Sequence, residues 1–203
     1  YGERITDDEK KKRYSMMRNM VWYLNDVVQQ VSVAQELIGG VSHLSPQTFE
    51  LVPFVRQAAS DMAALTEQQR QIEVISGQCS DSETVTWDEN LLRRILMNLI
   101  DNALKYSKDE IKCHIDITPE MACLRIADRG TGISEEDQKH MYTAFYRGKN
   151  AEFIRGTGIG LFVVAQAVEA HGGSISCHTV LGQGTTFTVC LPRHAAPRLP
   201  TTS

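Results

Sequence analysis

Between residues 88 and 126 the apolar side chains change their spacing, and no single kind of secondary structure accommodates both halves. First they fall at Leu91, Leu92, Ile95, Leu96, Leu99, Ile100 and Ala103, the stripe of a helix with one buried face, with Asp88 ahead of them as an N-cap. Then they alternate: Ile111, Cys113, Ile115 and Ile117 are set against Lys112, His114, Asp116 and Thr118, and Leu124 with Ile126 continue the pattern after the Pro119-Glu120 turn. That is a hairpin with one wet face. A one-sided helix and a one-sided hairpin each need a cover, so the spacing predicts an α+β sandwich of a sheet against helices.

The rest of the chain extends this pattern. Residues 48–52 read as a short strand, 53–70 as a helix through Val55, Ala58, Met62 and Leu65, and 72–75 and 84–87 as strands. Residues 158–170 are apolar nearly all round, which predicts a buried helix, and strands follow at 174–179 and 185–191 around Gly182-Gln183-Gly184. Upstream, Met17, Met20, Leu24, Val27, Val31, Ala34 and Ile38 step by three and four, as the seam of a paired helix does. Gly39-Gly40 ends that helix. The expected organisation is therefore a helix that pairs with other helices over 1–40, a linker over 41–47, one domain over 48–192 and a disordered tail over 193–203.

Charge and cysteine usage exclude several classes. With 203 residues, 42% of them hydrophobic, and a net charge of −4, the chain has enough for a core and no bulk attraction for polyanions. Phosphate must be bound by local geometry. The five cysteines, Cys79, Cys113, Cys123, Cys177 and Cys190, are odd in number and contain no C-x-x-C pair. They are expected to be reduced core residues rather than a disulfide framework or a zinc site. No apolar run approaches the ~20 residues of a membrane span and no signal-peptide pattern opens the chain, so a cytoplasmic location is expected, with no nucleic acid and no membrane contact by this segment.

The polar side of the 88–106 helix is unusual. Asn98, Asn102 and Lys105 stand at i, i+4 and i+7 and share one face opposite the apolar stripe. An amide oxygen can complete the shell of a magnesium ion held by phosphates, and a lysine can neutralise those phosphates. Asp128 ends the hairpin in the run DRGTGI (128–133), where a carboxylate can accept from an exocyclic amine and glycines let backbone approach a flat ring. GTGIGL (156–161) leads directly into the apolar helix, so backbone amides and a helix N-terminus point at an anion together. Neither a G-x-G-x-x-G after an early strand nor the G-K-[ST] of a Walker loop is present.

These segments resemble the boxes of sensor histidine kinases of two-component systems. NLIDNALKYS (98–107) is similar to their N box, DRGTGI (128–133) to the first glycine box, AFYRG (144–148) to the F box and GTGIGL (156–161) to the second glycine box. EAHGGSI (169–175) and GQGTTFTVCLP (182–192) resemble the closing strands, so the likeness covers about residues 48–192. The resemblance implies a Bergerat-type (HATPase) α/β sandwich that binds ATP and Mg2+. It implies Asn102 as the metal ligand, with Asn98 and Lys105 on the phosphate side, and Asp128 as the adenine-reading carboxylate. Gly130, Gly132 and Ile133 would admit the ring, Thr186 would support it, and Tyr106 would lie near base or ribose. Gly156, Thr157, Gly158, Ile159, Gly160 and Leu161 would line the phosphates. Residues 145–155 would form a lid anchored by Phe145, with Arg147 and Arg155 touching either the γ-phosphate or the acceptor domain, or solvent.

Two further implications concern the reaction. Related hydrolases carry a glutamate one turn before the magnesium asparagine, where this chain has the neutral Asn98, so transfer to a protein acceptor is favoured over hydrolysis. Asp101 is a weaker candidate base, since it lies about 100° round the helix from Asn102. None of His43, His114, His140, His171, His178 and His194 stands in the H-E-x-x-x-P context of a phosphoacceptor. The resemblance implies that residues 1–40 are the second helix of a partial dimerisation hairpin, and the expected partners are the kinase's own dimerisation helices, in a homodimer, and the receiver domain of a response regulator. The alternatives are a nucleotide-binding pseudokinase or dimerisation module without transfer, and a related ATPase.

Overall fold

The computed structural model describes residues 44–64, 70–77, 79–148, 154 and 156–194, together with residues 13, 14, 17, 28, 31 and 32. The seam helix expected over 16–38 lies almost wholly outside the described residues, as do positions 65–69 and the tail beyond 194.

The elements follow in the order β1 (Gln47–Glu50), α1 (Leu51–Ala64), β2 (Ile72–Ser76), β3 (Thr84–Trp87), α2 (Glu89–Tyr106), β4 (Ile111–Ile117), β5 (Met121–Asp128), the single turn α3 (Glu135–Gln138), α4 (Gly160–Ala170), β6 (Ser174–Val180) and β7 (Gly184–Pro192). Five strands form one sheet in the order β2-β4-β5-β7-β6, and β1 with β3 make a separate two-stranded ribbon. In the larger sheet β2 runs parallel to β4, and every other pairing is antiparallel. The α+β sandwich expected from the change of apolar period is the observed fold.

The core lies between one face of this sheet and helices α1, α2 and α4. Ile111, Cys113, Ile115, Ala122, Leu124, Ile126, Val189 and Leu191 meet Leu92, Ile95, Leu96, Leu99 and Ile100 of α2 and Val163, Val164 and Ala167 of α4, all of them buried. Truncating such a leucine to alanine typically costs about 2–5 kcal/mol, so the stripe of α2 is a main determinant of stability. Asp88 caps α2 as its position in the sequence predicts, its Oδ1 accepting from the amides of Asn90 at 3.0 Å and Leu91 at 3.1 Å. The outer face carries Lys112, His114, Asp116 and Arg125, with Arg125 paired to Asp116 across the β4–β5 hairpin.

Several expectations are corrected. Leu51 and Val52 open α1 instead of closing a strand, because they join Val55, Ala58, Ala59 and Met62 in one buried helical stripe; Pro53 is tolerated in the first turn, where amides have no intrahelical partner. Gln47, assigned to the linker, pairs with Trp87 in the ribbon, and Ser45 N donates to the Asp88 carboxylate at 3.0 Å. At the other end Arg193 donates to the Thr84 carbonyl at 2.9 Å and pairs with Glu83, and His194 bridges to Thr86, so neither belongs to a loose tail. Cys123 and Cys190 are not reduced: they are direct register partners on β5 and β7, with Cα atoms 4.1 Å apart, and are joined by a disulfide. Counting cysteines did not show this because 67 residues separate the two. Cys79, Cys113 and Cys177 are free, and burial pushes the Cys113 thiol up to about 12.

Candidate functional site

Helix α2 and the start of α4 lie against one another at Asn98. The Asn98 Nδ2 donates to the Arg94 carbonyl at 2.8 Å, and a Cβ on Gly160 would stand 2.6 Å from its Oδ1. Asn98 is thus committed to holding α4. One turn further along α2, the carboxamide of Asn102 has no hydrogen-bond partner among the described residues. One turn on again, the Lys105 ammonium pairs with Asp101. The face seen in the sequence therefore divides into a packing amide, an open amide and a lysine that must exchange partners to meet a phosphate. Asp101, the weaker candidate base, is taken up in that ion pair.

Helix α4 supplies the anion-binding end. Its N-cap, Ile159, offers the first amides of the helix no side-chain hydrogen bond. Gly156 has no atom within 4 Å of the place a Cβ would take, and the Thr157 hydroxyl accepts from Ile159 N at 3.2 Å. Gly158 has φ +74 and packs on the Tyr146 carbonyl. Ile159 is a correction: at 1% exposure its side chain belongs to the core, and only its backbone faces the loop. Leu161 packs partly against the same core.

At the sheet end, Asp128 is half-buried and its Oδ1 accepts from Gly130 N at 2.7 Å. Burial raises its carboxyl above the ordinary value, against the lowering effect of backbone hydrogen bonds from Gly130 and Thr185. Partners in an antiparallel register share a face, so Asp128 stands beside Thr185, and Ala127 beside Thr186. Thr185 is 6% exposed, on the helix side with Phe187 and Val189. The expectation for Thr186 is therefore corrected to Thr185, since side chains alternate along a strand and a one-residue choice reverses the face. The Thr185 and Thr179 hydroxyls lie 3.0 Å apart, and that of Thr179 accepts from Ile133 N at 3.0 Å.

The glycines of the first run pack closely on neighbouring backbone. A Cβ on Gly130 would stand 2.3 Å from the Tyr106 carbonyl, and one on Gly132, at φ +70, 2.4 Å from the Val180 carbonyl. Protein backbone lies where side chains at these positions would stand. The contact places the half-buried Tyr106 beside Asp128; burial raises its phenol, with Arg147 opposing.

Asp137 accepts from Ser134 Oγ and from Tyr146 OH, each at 2.8 Å, which ties down the start of the segment expected to form the lid. Arg147 donates to the Ile154 carbonyl at 2.5 Å. Phe145 is no anchor: it is 66% exposed and held at φ 66. Arg155 lies outside the described residues. Sequence reasoning missed Tyr142, whose hydroxyl is buried without a partner among the described residues. Burial, and secondarily Cys177, pushes that phenol up to about 12.

Comparison with known proteins supports the same reading. Sensor protein SrrB of Staphylococcus aureus strain MRSA252 is 41% identical over 112 residues, 53% of this chain and 19% of that protein. The protein of the same name from strain NCTC 8325 is 40% identical over the same span. The chain thus spans about a fifth of the length of the curated relatives it matches. Among solved structures, full-length ShkA in complex with AMPPNP has a TM-score of 0.77 at 24% identity, covering 96% of this chain and 41% of that one. The Acinetobacter baumannii histidine kinase AdeS has a TM-score of 0.73 at 22% identity, covering 89% and 83%. These likenesses establish the fold. A family model for the histidine kinase-, DNA gyrase B- and HSP90-like ATPases matches residues 87–195, more than half of the chain, and the chain belongs to that family.

Proposed function

We propose that residues 48–192 bind Mg-ATP between α2 and α4 and transfer its γ-phosphoryl group to a histidine on a dimerisation helix, for relay to the receiver domain of a response regulator. The observation that carries this reading is the open Asn102 amide, one turn from the place where Asn98 meets the uncapped start of α4. The donor set fits the ligand: backbone amides for phosphate, a neutral amide oxygen for magnesium, and at Asp128 an acceptor carboxylate for the adenine amine. Bound magnesium would supply charge neutralisation at the phosphates. ShkA, which shares the fold, was solved with AMPPNP.

Transfer is favoured over hydrolysis by the state of Asn98. A neutral amide bonded to Arg94 and packed on Gly160 accepts no proton from water. A neutral imidazole needs no such base: its nitrogen lone pair forms the new bond to phosphorus as the bond to the ADP oxygen breaks. Among the described residues no helix is long and apolar enough to cross a membrane.

The reading is tested by incubating the chain with γ-labelled ATP and a dimerisation hairpin from the parent kinase. Acid-labile label on the hairpin is expected, with little steady phosphate release. Rapid release without protein label would move the chain to the hydrolase branch, and tight binding with neither would make it a nucleotide-binding module.

A further inference from the structure

Helix α2 ends without the left-handed glycine that closes many helices; Ser107 follows it in extended backbone at φ −118 and ψ 152. The last carbonyls of the helix therefore need donors from elsewhere. One side chain reaches three carbonyls across this end: Arg70 Nη1 donates to those of Leu104, in the last turn, at 2.8 Å and of the C-cap Ser107 at 2.7 Å, and its Nη2 to that of Asp109 beyond the helix. Arg70 lies just before β2, outside the 87–195 span that the family match covers. On the other side of the same turn, Thr131 N donates to the Tyr106 carbonyl at 3.3 Å, and Gly130 packs on that oxygen.

The final turn of α2 is thus gripped between a guanidinium and the loop that follows Asp128. It carries Lys105 and Tyr106, and Asn102 stands one turn back. A cation at a helix C-terminus is also favoured by the helix dipole. Asp128, by contrast, is fixed by its own strand and by Gly130 and Thr185, without help from Arg70.

We propose that Arg70 is a positioning residue for the metal- and phosphate-facing half of the nucleotide site. It sets where Asn102 and Lys105 stand relative to the start of α4, while the adenine-side carboxylate of Asp128 is held by its own strand. The inference rests on the nucleotide reading above. It separates two roles that a general scaffold would mix. Arg193 is the natural control, because its guanidinium also clamps a carbonyl, that of Thr84, and an acidic partner, Glu83, but at β3, away from the site.

The experiment measures binding of Mg-ADP and of adenosine by calorimetry to the unaltered chain and to Arg70→Ala, Arg70→Lys and Arg193→Ala, with urea midpoints for each. Arg70→Ala is expected to weaken Mg-ADP by about ten-fold while leaving adenosine nearly unchanged, the loss expected for hydrogen bonds from a charged group. Arg70→Lys should recover part of that affinity, and Arg193→Ala should lower the urea midpoint without altering the ratio of the two ligands. Equal weakening of both ligands in the Arg70 variants, or none, overturns the proposal. If Arg70→Ala does not fold, the ligand ratio of Arg70→Lys decides. If the unaltered chain binds neither ligand, the nucleotide reading fails, and amide exchange still tests Arg70: faster exchange over 104–109 with 124–128 unchanged supports the clamp, and no change refutes it.

Discussion

Two glycine-rich runs, 128–133 and 156–161, look alike in the sequence and differ in the fold at one glycine, Gly156. In the first, the places of the missing side chains are filled by backbone: Tyr106 lies against Gly130 and Val180 against Gly132. In the second, Gly158 packs on the Tyr146 carbonyl and Gly160 on Asn98, but Gly156 has open space among the described residues, and the helix that follows has no capping side chain. The first run therefore serves packing, bringing α2, β5 and the β6–β7 turn together around Asp128. The second combines packing at Gly158 and Gly160 with open space at Gly156, ahead of a helix whose N-cap makes no side-chain hydrogen bond. A glycine signature alone distinguishes neither use, because the absence of a side chain is equally suited to a close neighbour and to a ligand.

The largest expected effect comes from exchanging the two roles. Gly132→Ala places an L side chain at φ +70, a handedness that costs roughly 1–2 kcal/mol, and drives its Cβ toward the Val180 carbonyl. Gly156→Ala meets nothing within 4 Å. Urea unfolding should show Gly132→Ala strongly destabilised and Gly156→Ala within about 0.5 kcal/mol of the unaltered chain. Equal midpoints for the two would break the comparison.

Next in size is ligand recognition at the packed run. Asp128→Asn keeps the Gly130 contact but replaces a pure acceptor by a mixed amide, so affinity for adenine nucleotides should fall about ten-fold or more while the fold persists. Calorimetry beside a circular dichroism spectrum checks both halves of that statement. At the open run the counterpart is Asn102→Ala. Here the gain in ADP affinity on adding magnesium should vanish, with metal-free ADP bound nearly as before. Equal loss with and without the metal would make Asn102 part of the scaffold.

The smallest effect concerns His171, buried away from both runs. Its Nδ1 donates to the Ala167 carbonyl at 2.7 Å and its Nε2 accepts from Asp88 N at 3.1 Å, which leaves no place for a second proton. Burial lowers its pKa below the ordinary value, although the Ala167 bond and the Asp88 charge oppose the shift. The unfolded chain therefore takes up this proton more readily than the folded one. Stability from His171 is complete above the unfolded value of about 6.5 and is lost as the pH falls below it through the lowered folded value. Urea midpoints taken between about pH 8 and pH 5 should fall with acidity more steeply than those of His171→Gln.

Much of this is legible in the amino-acid sequence. Periods of 3.6 and 2 identified α2 and the β4–β5 hairpin, Asp88 announced the cap, and spacing within one helix placed Asn98, Asn102 and Lys105 on one face. All of these are local properties, determined by residues a few positions apart. The tertiary structure decided what depends on partners far along the chain. Strand register put Thr185 rather than Thr186 beside Asp128, and brought Cys123 to Cys190 across 67 residues. Packing gave Asn98 to Gly160 and left Asn102 open, filled the space at Gly130 and Gly132 with backbone, exposed Phe145, and carried Arg70 to the end of a helix more than thirty residues away. A side chain's periodicity is written in its neighbours, but the atom it finally touches is set by how separate elements close on one another. That closure depends on the whole core at once.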